Sequence, residues 1–81
     1  MKAVIQVRLK NGVLDPQGKA IESALENLGF SGLENVRQGK MIEVDIDQVD
    51  PKDVRQTAEA MAKSLLANPV IETYNIEICE E

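Results

Sequence analysis

The chain has 81 residues, of which 43% are hydrophobic and 28% charged, a balance typical of one small globular domain over 1–81. Fourteen acidic residues against nine basic ones give a net charge of −5, which argues against nucleic-acid binding because a phosphate backbone would be repelled. The chain has no histidine, which excludes Ser-His triads and nearly every transition-metal site, and no apolar run long enough to predict a membrane helix.

The first third of the chain predicts a strand followed by a helix. Apolar and polar side chains alternate over residues 3–9, which is typical of a β-strand with one buried face, and Gly12 allows a tight turn after it. Asp15 and Pro16 then match the N-cap and first residue of a helix, and Gly29 matches its C-terminal end. The apolar stripe of this helix comprises Ala20, Ile21, Ala24, Leu25 and Leu28.

The remaining two thirds repeat this order. Residues 36–47 have strand character, but the alternation breaks near Gly39, which leaves open either a hairpin turn or a bulge in one long strand. Asp50-Pro51 begins a second helix, Asn68-Pro69 ends it, and residues 70–79 alternate as a last strand. The apolar stripe of the second helix comprises Val54, Ala58, Met61, Ala62 and Leu65.

The order β-α-β(β)-α-β predicts an α+β fold. We expect a two-layer sandwich, in which both helices cover one face of a small antiparallel sheet, with affinity to the ferredoxin-like split βαβ arrangement. A sheet this small has free edges, and a chain with only two aromatic residues, Phe30 and Tyr74, has little to bury. Self-association is therefore expected.

No self-contained active site is predicted. The serines have no histidine to act as a base, and the single Cys79 lies beside carboxylates rather than beside an activating base. We expect no catalytic residue and no metal ligand in this chain. One cysteine also argues against a disulfide framework and fits a cytoplasmic location.

The connection from Lys10 to Ala20 is more constrained than a spacer needs to be. Gly18 falls in the first turn of the predicted helix, where glycine costs about 1 kcal/mol relative to alanine. Close approach by a partner, or an anion at the helix start, would account for it, and so would tight packing of Gly18 within the fold. The residues alone do not separate these alternatives.

Four segments carry a resemblance to a known family. The run Leu9-Lys10-x-Gly12-Val13-Leu14-Asp15-Pro16-Gln17-Gly18-x-Ala20 closely resembles the PurS family, the small subunits of phosphoribosylformylglycinamidine synthase. The segments Leu28-Gly29-Phe30, Val36-Arg37-x-Gly39-Lys40 and 66–72 resemble the same family. The resemblance therefore covers essentially the whole chain.

The resemblance implies a non-catalytic subunit in purine biosynthesis. Such a subunit joins a glutaminase, PurQ, to an ATP-dependent synthetase, PurL, which together convert formylglycinamide ribonucleotide to formylglycinamidine ribonucleotide with ammonia from glutamine. It also implies that the chain forms a dimer or tetramer and binds no cofactor, since ATP and Mg²⁺ are used by the large subunit.

We expect partner docking at the 10–18 loop and the 37–40 segment. Their glycines permit close approach, and their charged and amide side chains can bind partner backbone or carboxylates. The alternative is that the glycines serve the fold and the charges are merely solvated. A different function, a small-ligand-sensing regulatory dimer of ACT-like type, remains the second hypothesis. The docking candidates are Lys10, Gly12, Asp15, Gln17, Gly18, Arg37, Gly39 and Lys40.

Overall fold

A computed structural model describes residues 1–80, which form a three-stranded sheet and two α-helices. The elements in chain order are β1 (Lys2–Leu9), α1 (Pro16–Asn27), β2 (Lys40–Asp45), α2 (Pro51–Met61), a π-helical turn (Ala62–Leu66) and β3 (Glu72–Cys79). The sheet order is β2-β1-β3, and both pairings are antiparallel. The predicted α+β fold with a small antiparallel sheet is confirmed. Glu81, the last residue of the predicted 1–81 domain, lies outside the described residues.

The central strand β1 supplies three of the nine buried residues of the core cluster. Ala3, Ile5 and Val7 are buried on one face of the sheet, as their alternation with polar residues predicts. Ile5 lies opposite Ile42 of β2 and Ile76 of β3, so one row of isoleucines crosses the whole sheet. Antiparallel register therefore puts the apolar face of all three strands on the same side, where it can be covered by a helix.

Helix α2 is the element that covers this face. Its N-cap is Asp50, whose side chain accepts a hydrogen bond at 2.9 Å from the backbone N–H two residues on, and Pro51 is the first helical residue, as predicted. Val54, Ala58 and Ala62 recur every four residues and have no exposed surface. They pack with the buried side chains of β1 and so join the helix to the sheet.

The structure corrects the C-terminal end of the apolar stripe predicted for the second helix. Leu65 was expected in the core, but its side chain is 82% exposed. The N–H of Ala67 donates to the carbonyl of Ala62 at 2.9 Å, an i→i+5 bond that closes the π-helical turn. This wider turn advances the chain by one residue relative to an α-helix, so Leu66 and Ala67 take the inward positions instead.

Both predicted ends of α1 are confirmed. Asp15 is the N-cap, and Gly29 follows the last turn with φ +102°, a conformation that favours glycine. The N–H groups of Gly29 and Phe30 donate to the carbonyls of Glu26 and Leu25 at 3.0 and 3.1 Å. These two bonds form a Schellman motif at the helix end that Gly29 predicts.

The position of α1 differs from the expectation that both helices cover one face of the sheet. α2 packs against β1 and β3, whereas α1 makes only isolated contacts with the other elements, and its one buried residue is Gly18. The radius of gyration is accordingly 16.0 Å, against about 12 Å for a compact chain of this length. Three strands spaced about 4.8 Å apart make a sheet about 14 Å wide, which one helix of about 10 Å nearly fills.

The segment leading into β2 is neither of the alternatives left open by the sequence. Residues 36–39 form no strand, so there is neither a hairpin nor a long bulged strand near Gly39. The N–H of Gln38 donates to a carboxylate oxygen of Asp15 at 2.8 Å instead of to a neighbouring strand. Because this bond directs the chain toward α1, strand pairing with β1 begins only at Lys40.

Candidate functional site

Most of the predicted docking residues come together where β1 ends, α1 begins and the chain approaches β2. We call this region the junction and define it as residues 10–18 and 36–40. The two segments are distant in sequence, yet three hydrogen bonds from Arg37 and Gln38 connect the second segment to the first. The junction is therefore a real cluster of the residues that the sequence singled out.

Asp15 is the buried polar group of the junction, with 5% of its surface exposed. One carboxylate oxygen accepts the N–H of Gly18 at 2.8 Å, and the other accepts the N–H of Gln38 at 2.8 Å. The Gln38 bond most of all, then the Gly18 bond and the charge of Arg37, hold the pKa of Asp15 below its ordinary value despite burial. One side chain thus caps α1 and fixes the segment that enters β2.

Arg37 completes the junction from the opposite direction. Its guanidinium donates to the carbonyl oxygen of Val13 at 2.7 Å and to that of Lys10 at 3.1 Å. Asp15 therefore holds the 36–40 segment, while Arg37 from that segment holds the 10–15 loop. The two side chains form a reciprocal clasp made entirely of side-chain to backbone bonds.

The glycines of the junction have reasons within the fold. A Cβ on Gly18 would collide with the carbonyl oxygen of Val36, and one on Gly39 would lie 2.6 Å from the carbonyl oxygen of Val7. Gly12 has φ +86° and open space around it, so its backbone turn rather than close packing requires glycine. Tight packing therefore accounts for Gly18 and Gly39, and partner docking at these glycines stays a prediction.

The other candidates lie at the rim of the junction. The backbone N–H of Lys10 donates to the carbonyl of Ile71 at 2.8 Å, and its Nζ donates to the carbonyl of Pro69 at 2.8 Å, which ties the loop to the turn before β3. Gln17 and Lys40 are exposed and line the same shallow depression of about 370 Å³. They are the candidates best placed to reach another molecule.

One further residue of this region, Arg8, is not indicated by the sequence alone. Arg8 lies on the outward face of β1 and lines a second depression of about 520 Å³, together with Arg37 and Lys40. The alternation of β1 correctly predicts that Arg8 points away from the core, but it does not indicate which neighbours the side chain meets. Only the register of Lys40 against Val7 brings these positions together.

The described residues offer neither a metal-ligand cluster nor a membrane-spanning helix. Residues 1–80 contain no group of three or more His, Cys, Asp or Glu side chains arranged to hold a metal ion. Over the same residues, neither helix combines the length and apolar character needed to span a membrane.

Known protein families include one whose model matches nearly the whole chain. The family model PurS, described as phosphoribosylformylglycinamidine (FGAM) synthase, matches residues 2–80. The PurS subunit of this synthase from Methanocaldococcus jannaschii is 42% identical over 77 residues, which are 95% of this chain and 93% of the relative. The PurS subunit from Mycobacterium leprae is 49% identical over 76 residues, 93% of this chain and 91% of the relative.

Solved structures agree with the fold. Bacillus subtilis PurS superimposes with a TM-score of 0.86 at 40% identity, and the match covers 98% of both chains. M. jannaschii PurS, described as one of the subunits of formylglycinamide ribonucleotide amidotransferase in the purine biosynthetic pathway, gives 0.83 at 42% identity over 94% of this chain and 92% of that one. A chain of Thermotoga maritima PurLQS gives 0.84 at 28% identity, covering 94% of this chain and 93% of that one.

Proposed function

The chain belongs to the PurS family of phosphoribosylformylglycinamidine synthase subunits, and we propose that it joins the glutaminase PurQ to the synthetase PurL within that enzyme. In this role it supports conversion of formylglycinamide ribonucleotide to formylglycinamidine ribonucleotide, with ammonia released from glutamine. ATP and Mg²⁺ are used by the large subunit, and this chain holds neither. The proposed location is the cytoplasm.

The observation that carries the proposal is the match with the T. maritima PurLQS chain, which covers 94% of this chain. A subunit that positions two others contributes to catalysis by keeping their sites in register. Ammonia can then pass between the sites without being protonated and lost to bulk water. Such a role needs complementary surfaces rather than reactive groups.

The chemistry of the junction supports a contact role. The carboxylate of Asp15 is occupied by two backbone N–H groups, and two N–H groups of Arg37 are occupied by backbone carbonyls. Neither side chain is arranged as a general acid or base, since both stabilise the fold. We propose that no catalytic residue lies in this chain.

The proposed docking surface uses the exposed part of the junction. Gln17 and Lys40 are exposed, and Leu14, in the same loop region as Gln17, is 73% exposed. Asp15 and Gly18 contribute indirectly, because they set the backbone on which these side chains stand. Lys10, Gly12, Arg37 and Gly39 belong to the same surface, with Arg37 and Gly39 fixing its shape.

Self-association is part of the same proposal. Within residues 1–80, β2 and β3 are both edge strands, and each pairs with β1 on one side. Several large apolar side chains of the described residues are also more than half exposed, and a partner copy could cover them. We propose a dimer or tetramer in which such groups are covered. These side chains are Leu14, Leu28, Phe30, Met41, Val49, Leu65 and Val70.

Co-assembly tests the proposal. PurL and PurQ from the same organism are sedimented with and without this chain, and we expect one complex of all three chains that separates when this chain is left out. A complex of PurL and PurQ that forms equally well without it would contradict the bridging role.

The second hypothesis, an ACT-like sensor, requires that the chain bind a small ligand unaided. A thermal-shift series with the amino acids on the chain alone tests it, and the assembly function predicts no stabilisation.

A further inference from the structure

We infer that a depression between β1 and the 36–41 segment receives an acidic segment of a partner chain. We call it the basic depression and define it by its three cationic residues, Arg8, Arg37 and Lys40. The inference rests on the proposed assembly function, since it names the chemistry by which one of the assembled chains is recognised.

The first argument is the separation of charge. The chain as a whole carries −5, yet the basic depression is lined by three of the nine basic residues and by no acidic one. Asp15 and Glu72 line the adjoining depression that shares Arg8 and Lys40, and both carboxylate oxygens of Asp15 already accept backbone N–H groups. Within residues 1–80 there is one ion pair, between Lys2 and Glu43 at 3.7 Å. It lies at the end of β1 that is far from the basic depression. The three cations of the depression therefore lack a carboxylate at ion-pair distance in the described part of the chain.

The second argument is that one cation is held in place in advance. Two N–H groups of Arg37 are fixed on the carbonyls of Val13 and Lys10, which leaves three of the five guanidinium N–H groups for another molecule. A guanidinium that is already oriented loses little conformational entropy on binding a carboxylate. The side-chain amides of Gln6, Asn11 and Gln38 line the same depression and add neutral donors.

The third argument concerns the size and openness of the depression. Its volume is about 520 Å³, but it is open to solvent, whereas sites for small molecules enclose most of their ligand. Arg8, Arg37 and Lys40 are all exposed, and a single exposed ion pair contributes little. A chain segment with several carboxylates can meet all three cations together and also contact Leu9 and the 59% exposed Met41 at the rim.

The field around the molecule favours this occupant as well. An acidic partner is repelled by most of the surface of a chain with net charge −5 and attracted at the basic depression. Such an arrangement determines the orientation of docking and accelerates association. It follows that binding through the depression should weaken as salt is raised.

Charge reversal with a matched control tests the inference. Arg8→Glu with Lys40→Glu is compared with Lys52→Glu plus Lys63→Glu, two exposed lysines of α2 and the π-helical turn, so both double variants change the net charge equally. Arg37 is left intact because it holds the loop. Binding of each variant to immobilised PurL, with PurQ in solution, is measured by interferometry at two salt concentrations. Circular dichroism with sedimentation confirms that each variant keeps the wild-type fold and oligomer.

The two double variants should differ clearly in their binding affinity. Loss of the depression cations should weaken binding by about tenfold or more and flatten its salt dependence, whereas the control should bind within about twofold of the wild type. Equal binding by both variants, while the wild type assembles normally, overturns the inference and leaves the assembly function standing. Failure of the wild type itself to assemble overturns both.

A crosslink identifies the occupant directly. A photoreactive benzoylphenylalanine replaces Met41 at the rim, the complex is irradiated, and the attached peptide is sequenced by mass spectrometry. Attachment to a PurL or PurQ segment in which Asp and Glu outnumber Lys and Arg supports the inference. Attachment to a neutral or basic segment, or to a second copy of this chain, contradicts it.

Discussion

The two helices of this molecule are held in different ways. α2 is fixed by burial, since Val54 and Ala58 have no exposed surface and pack on the β1 side chains. α1 has one buried residue, Gly18, and is fixed instead at its first turn by the Asp15 and Arg37 clasp. A helix that is held at one end keeps its apolar stripe available to another chain.

This difference follows from the small apolar surface that a three-stranded sheet offers. With a three-stranded sheet there is room to bury one helix against the core, and the second helix is positioned by polar groups and close backbone packing. The sheet and α2 should therefore respond to changes in side-chain volume. The junction should respond to added backbone bulk, to lost hydrogen bonds and to acid.

The largest effect is expected in the core. Ile5→Ala removes a side chain with no exposed surface and should lower the free energy of unfolding by about 2–5 kcal/mol, as measured by urea denaturation of the chain. Ile5→Val removes a single methylene group, so it should lower the free energy of unfolding by about 1 kcal/mol and keep the protein folded.

Ile21→Ala in α1 is the matching change in the other region. Ile21 is already 38% exposed, so its truncation should cost under about 1 kcal/mol. A loss equal to that of Ile5→Ala would mean that α1 is held by burial after all.

Gly18→Ala should give the next largest loss. Helix propensity alone would make alanine better by about 1 kcal/mol, but the added Cβ collides with the backbone carbonyl of Val36. We expect a net destabilisation of about 1–3 kcal/mol in urea denaturation. Gln17→Ala, at the exposed neighbouring position, serves as the control and should be nearly neutral. A more stable Gly18→Ala variant would show that α1 and the 36–40 segment do not pack as described.

The third effect is a dependence on pH. The folded state lowers the pKa of Asp15, so its carboxylate stabilises the fold fully above the unfolded pKa, and this contribution is lost as pH falls through the lower folded pKa. Between about pH 5 and pH 3 the Tm of the wild type should fall more steeply than that of Asp15→Asn.

Asp15→Ala, which removes both accepting oxygens, should lower the Tm by about 5 °C or more near neutral pH. Asp45→Asn changes an exposed carboxylate and is the control. All variants are compared at one protein concentration, because self-association affects the Tm. Parallel acid profiles for wild type and Asp15→Asn would contradict the role assigned to Asp15.

The smallest effect is expected at Arg37. Arg37→Gln loses two hydrogen bonds to exposed backbone carbonyls and should cost about 1 kcal/mol or less. Its clearer signature is local: backbone amides of the 10–15 loop should exchange hydrogen faster in the variant than in the wild type, whereas exchange in β1 should be unchanged. Unchanged exchange in the loop would mean that Arg37 is merely solvated there.

The parts of the fold that follow local rules could be predicted from the sequence. The Asp-Pro helix starts, the Gly29 helix end and the alternation of β1 each depend on neighbours within a few residues. The path into β2 could not be predicted, because it depends on a hydrogen bond between Asp15 and Gln38, 23 residues apart. The π-helical turn that exposes Leu65 likewise has no local signal.

The candidate site was predictable to a similar degree. Constrained residues such as Gly18 single out the 10–18 loop from the sequence, but the sequence could not say that the constraint on Gly18 comes from Val36 within the same chain. Arg8 was missed because an outward-facing arginine on a strand is ordinary. Its importance depends on the register that brings Lys40 beside β1.

The central claim is that this chain supplies contact between subunits rather than chemistry, and one assay tests it directly. Formylglycinamidine ribonucleotide synthesis by PurL and PurQ is measured with glutamine and with ammonia, each with and without this chain. Omitting the chain should abolish the glutamine-dependent rate and leave the ammonia-dependent rate intact. A glutamine-dependent rate that is undiminished without the chain would contradict the account.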